Sequence, residues 1–145
     1  MSVVLSPILA ADDEETDRLI LRLAFEKAGL SNPLVIVRDG VEAVDYLAER
    51  PPYANRAVHP LPALLLLDWK MPIMDGLDVL GWLAARPEFK HLPAIILSSS
   101  SADDDIQKAR QMGARDFLVK PHDLNSYMEI FQNLRARWLS PAQAA

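Results

Sequence analysis

Five side chains of the kinds used in phosphoryl chemistry stand directly after short apolar stretches of the sequence. They are Asp12 and Asp13, Asp68, Ser98 and Lys120. Clustered carboxylates repel one another, so ionising all of them together is unfavourable unless a cation is bound. A hard divalent ion with oxygen ligands, usually Mg²⁺, removes that repulsion. One carboxylate could then attack a phosphoryl group, while an ammonium and a hydroxyl hold the phosphoryl oxygens.

Each of these residues, taken alone, also has an ordinary structural interpretation. Asp12 and Asp13 could cap a helix, Ser98 could belong to a turn, and Lys120 could be a solvated charge. Asp68 fits such an interpretation poorly, because it follows five apolar residues and an acid is costly to bury without a use. The chemistry of the set therefore depends on whether the fold brings its members together.

The apolar stretches and the segments between them predict five strands that alternate with five helices. The strands are predicted at 7–11, 34–37, 63–67, 94–97 and 117–119. This alternation favours an α/β fold with a doubly wound parallel sheet. The stretch 63–67 has no polar alternation, which is typical of a strand buried on both faces. Because ligands bind beyond the carboxyl ends of such strands, the five side chains are expected to converge there.

Two further segments carry structural expectations. In the first predicted helix, the spacing of Leu19, Leu23 and Leu30 indicates an inward-facing stripe, with Ile20 and Phe25 beside it. The stretch 51–62 contains four prolines and no periodicity, so it is predicted to be an irregular loop.

Composition excludes several function classes. The 145 residues carry a net charge of −5, which argues against a protein that binds nucleic acid through the phosphate backbone. Without cysteine there is no disulfide scaffold, cysteine-ligated metal or thiol catalysis. No apolar stretch approaches the ~20 residues needed to span a bilayer, and no basic residue precedes the first apolar run as in a secretory signal. We therefore expect a cytoplasmic protein with one domain at 7–139 and short tails at 1–6 and 140–145.

Four segments of the chain resemble the response-regulator receiver family of two-component signalling: 8–14, 65–76, 93–99 and 113–121. The acidic pair, the Asp68-x-x-Met71-Pro72-x-Met74-Asp75-Gly76 segment, Ser98 and Lys120-Pro121 stand at the spacings of that family. The resemblance implies the flavodoxin-like receiver fold with strand order 2-1-3-4-5. It also implies a phosphoacceptor that catalyses only its own phosphorylation and dephosphorylation, and not an enzyme with other substrates.

The resemblance implies a role for each residue near the site. Asp68 would accept a phosphoryl group from a sensor histidine kinase. Asp13, Asp68 and the main-chain carbonyl of Lys70 would hold Mg²⁺, and Asp12 would act through a water molecule. Lys120 would bind the phosphoryl group.

The resemblance also implies how phosphorylation is transmitted. Ser98 and Phe117 would be the switch residues, and the Lys120–Pro121 peptide bond would be cis. Trp69, which follows the proposed phosphoacceptor, is expected to overhang the mouth of the site.

Further segments indicate the partners. The loop 51–62, the segment 45–47 and the C-terminal 137–139 are similar to receivers paired with bacterial phytochrome kinases. No DNA-binding segment follows the last predicted helix, so the expected output is a contact with a downstream protein. Opposite charges on helix 4, strand 5 and helix 5 suit a homodimer through that face.

Two other function classes fit these residues less well. A phosphatase or phosphotransferase of the haloacid dehalogenase type needs a second acid two residues after its nucleophile, where this chain has Lys70. A flavodoxin-like cofactor binder needs a glycine-rich phosphate loop, but the five glycines do not cluster. A degenerate receiver used only for binding would have lost an acid, and none is missing.

Overall fold

The computed structural model describes residues 5–139 as a parallel sheet of five strands in the order β2-β1-β3-β4-β5. The strands are β1 (Ile8–Ala11), β2 (Leu34–Val37), β3 (Leu64–Asp68), β4 (Ala94–Ser98) and β5 (Asp116–Val119). The helices are α1 (Glu15–Ala28), α2 (Gly40–Leu47), α3 (Gly76–Ala84), α4 (Asp103–Gln111) and α5 (Leu124–Trp138), with a short 3-10 helix at Pro87–Phe89. The predicted fold class and strand order are confirmed, and the predicted strand ends differ from these by at most one residue.

Most of the predicted N-terminal tail, 1–4, and all of the predicted C-terminal tail, 140–145, lie outside the described residues. Within 5–139, the longest helices are too short or too polar to cross a membrane.

Alternate residues of the central strands point to two separate apolar cores. Leu64 and Leu66 of β3 pack with α1 and α5, whereas Leu65 and Leu67 pack with α2 and α3. Side chains in a strand alternate between the two faces of a sheet, so a strand covered on both faces must be apolar throughout. This confirms the interpretation of the uninterrupted stretch at 63–67.

The predicted stripe of α1 is wrong for two of its leucines. Leu19 and Leu23 are 57% and 42% exposed, while the buried residues of the helix are Leu21, Ala24, Phe25 and Ala28. The Phe25 ring packs edge to face on Phe131 of α5 at 5.4 Å. Small alanines let α1 approach its neighbours closely, and a pattern built on the large apolar residues does not count them.

The strand register aligns the ends that carry the candidate residues. Asp68 pairs with Leu97 and Ser98 with Val119, and the Lys120 amide donates to the Ser98 carbonyl oxygen at 2.7 Å. After β3 the chain folds back tightly, since a Cβ at Gly76 would lie 2.8 Å from the Asp68 carbonyl oxygen. The contact explains why glycine occupies position 76 beside the proposed phosphoacceptor.

The loop 51–62 packs on α2 at the amino edge of the sheet. The Tyr46 hydroxyl donates to the Pro60 carbonyl at 2.8 Å, and the rings of Tyr53 and His59 lie 5.2 and 5.8 Å from that of Tyr46. Arg56 donates to the Tyr46, Leu47 and His59 carbonyl oxygens at 2.7–3.2 Å. The loop is irregular as predicted, and its contacts satisfy the carbonyls at the end of α2.

Candidate functional site

The carboxyl edge of the sheet brings together the three predicted acids. Asp12 follows β1 directly, and Asp68 is the last residue of β3. One carboxylate oxygen from each of Asp12, Asp13 and Asp68 lies within 4.8 Å of the other two. Asp12 and Asp68 are 2% and 7% exposed, whereas Asp13 is exposed. The acids therefore form one cluster that opens to solvent at Asp13.

Lys120 supplies a positive charge inside this cluster. Its Nζ atom lies 3.0 Å from Asp12 Oδ2, 3.2 Å from Asp68 Oδ2 and 2.8 Å from Asp17 Oδ2. The lysine side chain is itself buried. One ammonium thus faces three carboxylates, and two negative charges are left unbalanced when all three are ionised.

Burial and repulsion both act on the ionisation of these groups. Burial, followed by the charge of Asp12, raises the pKa of Asp68 to about 7, although Lys120 opposes the change. The pKa of Asp12 is also raised, chiefly by burial. Burial alone would lower the pKa of Lys120, but its bonds to Asp17 and Asp12 raise it, so the ammonium stays protonated. The site therefore holds carboxylates that would be more readily ionised beside a further cation.

The first turn of α1 holds Asp12 in place. Its Oδ1 atom accepts the Glu14 amide at 3.1 Å, and Arg18 donates to the Asp12 main-chain carbonyl at 3.0 Å. The side-chain bond leaves Oδ2 to accept from Lys120. Asp12 is therefore fixed from both its side chain and its backbone.

Ser98 lines the same pocket as Asp68 and Lys120, a space of about 240 Å³ that also includes Lys70 and Ser100. The Ser98 Oγ atom accepts the Ser100 amide at 3.1 Å, and the Ser100 Oγ atom accepts the Ala102 amide at 3.3 Å. Ala102 is the residue that precedes α4. Two hydrogen bonds in series therefore connect the Ser98 hydroxyl to the start of α4.

Trp69 does not overhang the site, so that expectation is wrong. The indole is 6% exposed and packs in the core on the α2 and α3 side, with its ring 5.7 Å from that of Phe117. Successive side chains along a strand point to opposite faces of the sheet, so the side chain of Trp69 points to the face opposite that of Asp68. Phe117, the second predicted switch residue, therefore contacts Trp69 in that core.

The implied cis Lys120–Pro121 bond is also wrong. Among the described residues the cis peptide bond joins Pro51 to Pro52. Lys120 reaches its three carboxylates with the following peptide bond trans.

Asp17 is a residue at this site that the sequence analysis did not single out. It lies on the first turn of α1 and makes the shortest of the three Lys120 ion pairs. Asp17 also lines a second pocket of about 200 Å³ together with Lys120 and Tyr127. Burial first, and the charge of Asp17 second, raise the pKa of Tyr127 to about 12. No local pattern points to it, because Asp17 meets Lys120 only where α1 packs beside the end of β5.

The donor set of the cluster suits a hard divalent cation. Asp12, Asp13 and Asp68 offer carboxylate oxygens close enough to share one ion, and oxygen is the ligand atom that Mg²⁺ and Mn²⁺ accept in such sites. Burial first, and the charge of Asp12 second, raise the pKa of Asp68, and one ammonium faces three carboxylates there. The residues therefore fit a divalent metal on electrostatic as well as chemical grounds.

Comparisons with known proteins agree with this geometry. Residues 8–132 match the response regulator receiver domain family. The chain resembles the crystal structure of response regulator RPA3017 in red light signalling of R. palustris, with a TM-score of 0.87, 35% identity and 97% of each chain covered.

Two further structures are similar over nearly the whole chain. The phosphorylated cyanobacterial phytochrome response regulator RcpA has a TM-score of 0.83 and 30% identity, with 94% of this chain and 95% of that chain covered. The Mn²⁺-bound form of response regulator Rcp1 has a TM-score of 0.80 and 26% identity, with 94% and 96% covered. On the family match and these likenesses, the chain belongs to the response regulator receiver family of two-component signalling, whose members are phosphoacceptor switches.

Proposed function

We propose that this protein is a phosphorylation-operated switch that accepts a phosphoryl group on Asp68, with Mg²⁺, from a histidine kinase. The observation that carries the proposal is the position of Asp68, which is buried at the carboxyl edge between Lys120 and the acids Asp12 and Asp13. An acid with a pKa near 7 in a polar pocket is a candidate for chemistry, because such shifts concentrate at functional sites.

The residues divide the proposed transfer between them. A carboxylate oxygen of Asp68 attacks phosphorus, an O–P bond forms, and the N–P bond to the kinase histidine breaks, returning its electron pair to the imidazole. Lys120 and Ser98 hold phosphoryl oxygens as charge develops on them. Asp13 and Asp68 with the Lys70 main-chain carbonyl would hold Mg²⁺, with Asp12 acting through water. The metal, when bound, offsets the negative charge that the transfer brings to the site.

The same residues connect the phosphoryl group to the surface. When the Ser98 hydroxyl turns to donate to a phosphoryl oxygen, its Oγ atom moves relative to the Ser100 amide, so the support of the α4 start through Ser100 changes. Phe117 packs against Trp69, the residue that follows Asp68, and would adjust with that strand end. The face formed by α4, β5 and α5 is therefore the proposed output, a two-state element biased by local charge.

The proposed kinase is a bacterial phytochrome. Support comes from the similar structures, whose names connect them to phytochromes and to red light signalling. The downstream partner is proposed to be a protein, since the output face carries both signs of charge: Asp103 and Asp104 of α4 are exposed on it, and so are Lys108 and Arg110.

The output face is also proposed to form a homodimer. Val119 at the end of the edge strand β5 is 49% exposed, and at the start of that strand Asp116 pairs with Arg137 of α5 at 3.2 Å. A face with an exposed apolar side chain and both signs of charge suits a two-fold contact. Sedimentation at several concentrations tests it, with and without beryllofluoride as a phosphoryl mimic; a monomer under both conditions would exclude the dimer.

Intact-mass measurement with acetyl phosphate and Mg²⁺ tests the proposed phosphorylation. One added phosphoryl group is expected, with none on the Asp68→Asn protein and none in the presence of a chelator. Unchanged labelling of Asp68→Asn would mean that Asp68 is not the phosphoacceptor. Turnover of unrelated phosphoesters would instead favour a phosphatase.

A stability measurement tests the metal separately. Free Mg²⁺ at 100 times its dissociation constant is expected to raise the free energy of unfolding by about 2.7 kcal/mol, because the ion binds only the folded cluster. Asp13→Ala is expected to lose this stabilisation over the same concentration range. An unchanged melting temperature in wild type and variant at millimolar Mg²⁺ would mean that the cluster is not a metal site.

A further inference from the structure

Lys120 lies closer to Asp17 than to the proposed phosphoacceptor. Its Nζ atom donates to Asp17 Oδ2 at 2.8 Å and to Asp12 Oδ2 at 3.0 Å, and lies 3.2 Å from Asp68 Oδ2. Asp17 is on α1 and is not one of the three clustered carboxylates. The ammonium is therefore shared between the site and an acid beside it.

We propose that Asp17 is a positioning residue that retains the Lys120 ammonium and thereby slows phosphoryl transfer to Asp68. The inference rests on the proposed function, because it concerns the regulation of that same site. It assigns to Asp17 an effect on the rate of phosphoryl transfer to Asp68. The other described contacts of α1 do not call for such an effect.

The limited number of donors on Lys120 is the first step of the argument. An ammonium has three N–H donors, and three carboxylates already surround this one. A phosphoryl group on Asp68 presents new oxygens that need the same ammonium. Two donors serve Asp12 and Asp17 and the third faces Asp68, so a second bond to the phosphoryl group takes a donor from Asp12 or Asp17.

Burial indicates which partner yields. The Asp12 side chain is 3% exposed, and it would be left as an unpaired buried charge, which is costly. The Asp17 side chain is 21% exposed, so water can solvate its carboxylate when Lys120 leaves. The Asp17 bond is thus the one that breaks, and its strength adds to the barrier for transfer.

A merely structural Asp17 would behave differently. The Asp17–Lys120 pair joins α1 to the end of β5, so it could serve only to anchor the helix. In that case, replacing Asp17 would change the free energy of unfolding but would leave the rate of phosphorylation of the folded protein unchanged. The two roles are separated by measuring the rate.

The experiment compares Asp17→Asn with two matched variants of the full chain. Asp17→Glu keeps a carboxylate for Lys120, and Glu15→Gln removes an exposed acid from the same helical turn. Labelling by acetyl phosphate at saturating Mg²⁺ is followed by intact mass, and the unfolding midpoint of each variant confirms that it is folded. Asp17→Asn is expected to label about fivefold faster than wild type, the size of effect that one partly screened ion pair supplies. Asp17→Glu and Glu15→Gln are expected to stay within twofold of wild type.

The outcomes separate this inference from the proposed function. Equal or slower labelling of a folded Asp17→Asn protein, with wild type labelled on Asp68, would overturn the role of Asp17 and leave the proposed function intact. Equal acceleration in Glu15→Gln would reduce the effect to general charge and also overturn it. Absence of labelling in wild type would remove the proposed function and this inference together.

Discussion

The carboxyl edge of the sheet and the loop 51–62 at its amino edge both bind charged side chains through several contacts, but in different surroundings. At the carboxyl edge, Asp12 and Asp68 are buried close to each other, and a single ammonium from Lys120 serves both. At the amino edge, the Arg56 guanidinium donates to three main-chain carbonyls and to the Glu49 carboxylate. At the carboxyl edge the carboxylates repel one another, whereas at the amino edge nearly every N–H donor of Arg56 has an acceptor.

The difference indicates what each edge contributes. A buried polar group with all its partners present supports the fold, whereas like charges held together reduce stability until a ligand arrives. The amino edge therefore stabilises the domain. Repulsion at the carboxyl edge lowers stability, and binding of a cation or a phosphoryl group changes that repulsion. Substitutions at the two edges are accordingly expected to change stability in opposite directions.

The largest expected effect is at the amino edge. Arg56→Ala removes the donor of the Leu47 and His59 carbonyls and one of the donors of the Tyr46 carbonyl, and is expected to lower the free energy of unfolding by about 2–3 kcal/mol. Urea denaturation measures this change. Arg50→Ala, which removes an exposed pair at 3.3 Å, is the matched control and should cost about 0.5 kcal/mol or less. Equal losses for the two variants would mean that the loop is not held by Arg56.

The next effect is a dependence on pH at the carboxyl edge. The pKa of Asp68 is raised to about 7 by burial and by Asp12, whereas an unfolded aspartate titrates near 4. Between those values the folded protein keeps a proton that the unfolded chain has lost, so stability falls as pH rises through this window. In metal-free buffer, unfolding free energy is expected to drop by on the order of 1–3 kcal/mol from pH 5 to pH 8.

Asp68→Asn is the matched variant for that dependence, because amide and acid have similar shapes. It should be more stable than wild type at pH 8 and should lose most of the slope, with a remainder from Asp12, whose pKa is also raised. Saturating Mg²⁺ should oppose the slope in wild type, because the metal needs deprotonated ligands. A wild-type stability that rises steadily from pH 5 to pH 8 without metal would contradict the repulsion inferred at this edge.

Local pattern was sufficient to predict the strands and most of the site. The stretch 63–67 predicts a strand covered on both faces, and the acid that ends it could be singled out because burial of a charge needs a reason. Asp12, Asp13, Ser98 and Lys120 followed because parallel strands end at one edge. Each of these inferences needs only the order of the elements along the chain.

Contacts between distant parts of the chain could not be predicted in that way. Lys120 bonds Asp17 across 103 residues, and nothing local to either indicates that α1 and the end of β5 come within 2.8 Å. The ring contact of Trp69 with Phe117 joins the end of β3 to β5, and the exposure of Leu19 depends on how α1 packs against α5. Packing between elements far apart in the sequence decides all three.

The smallest expected effect concerns backbone strain, which the two edges also handle differently. Ile73 in the β3–α3 loop has φ of +67° and is 92% exposed, at the centre of a turn in which the Met74 amide donates to the Pro72 carbonyl at 2.7 Å. Glu49, beside the loop at the amino edge, has φ of +60°, but its carboxylate accepts from Arg56 at 2.9 Å. A positive φ is unfavourable for a β-branched residue and much less so for asparagine.

Ile73→Asn is therefore expected to raise the free energy of unfolding by about 1 kcal/mol, because it relieves strain without removing buried surface. Ile73→Val keeps the β-branch and should change stability little. Glu49→Asn also relieves strain but loses the Arg56 ion pair, so its net gain should be smaller than that at position 73. The midpoints of urea denaturation of the three variants measure these differences in stability. If Ile73→Asn gained no more than Ile73→Val, the strain at Ile73 would be negligible, and the contrast between the two edges would be confined to their charges.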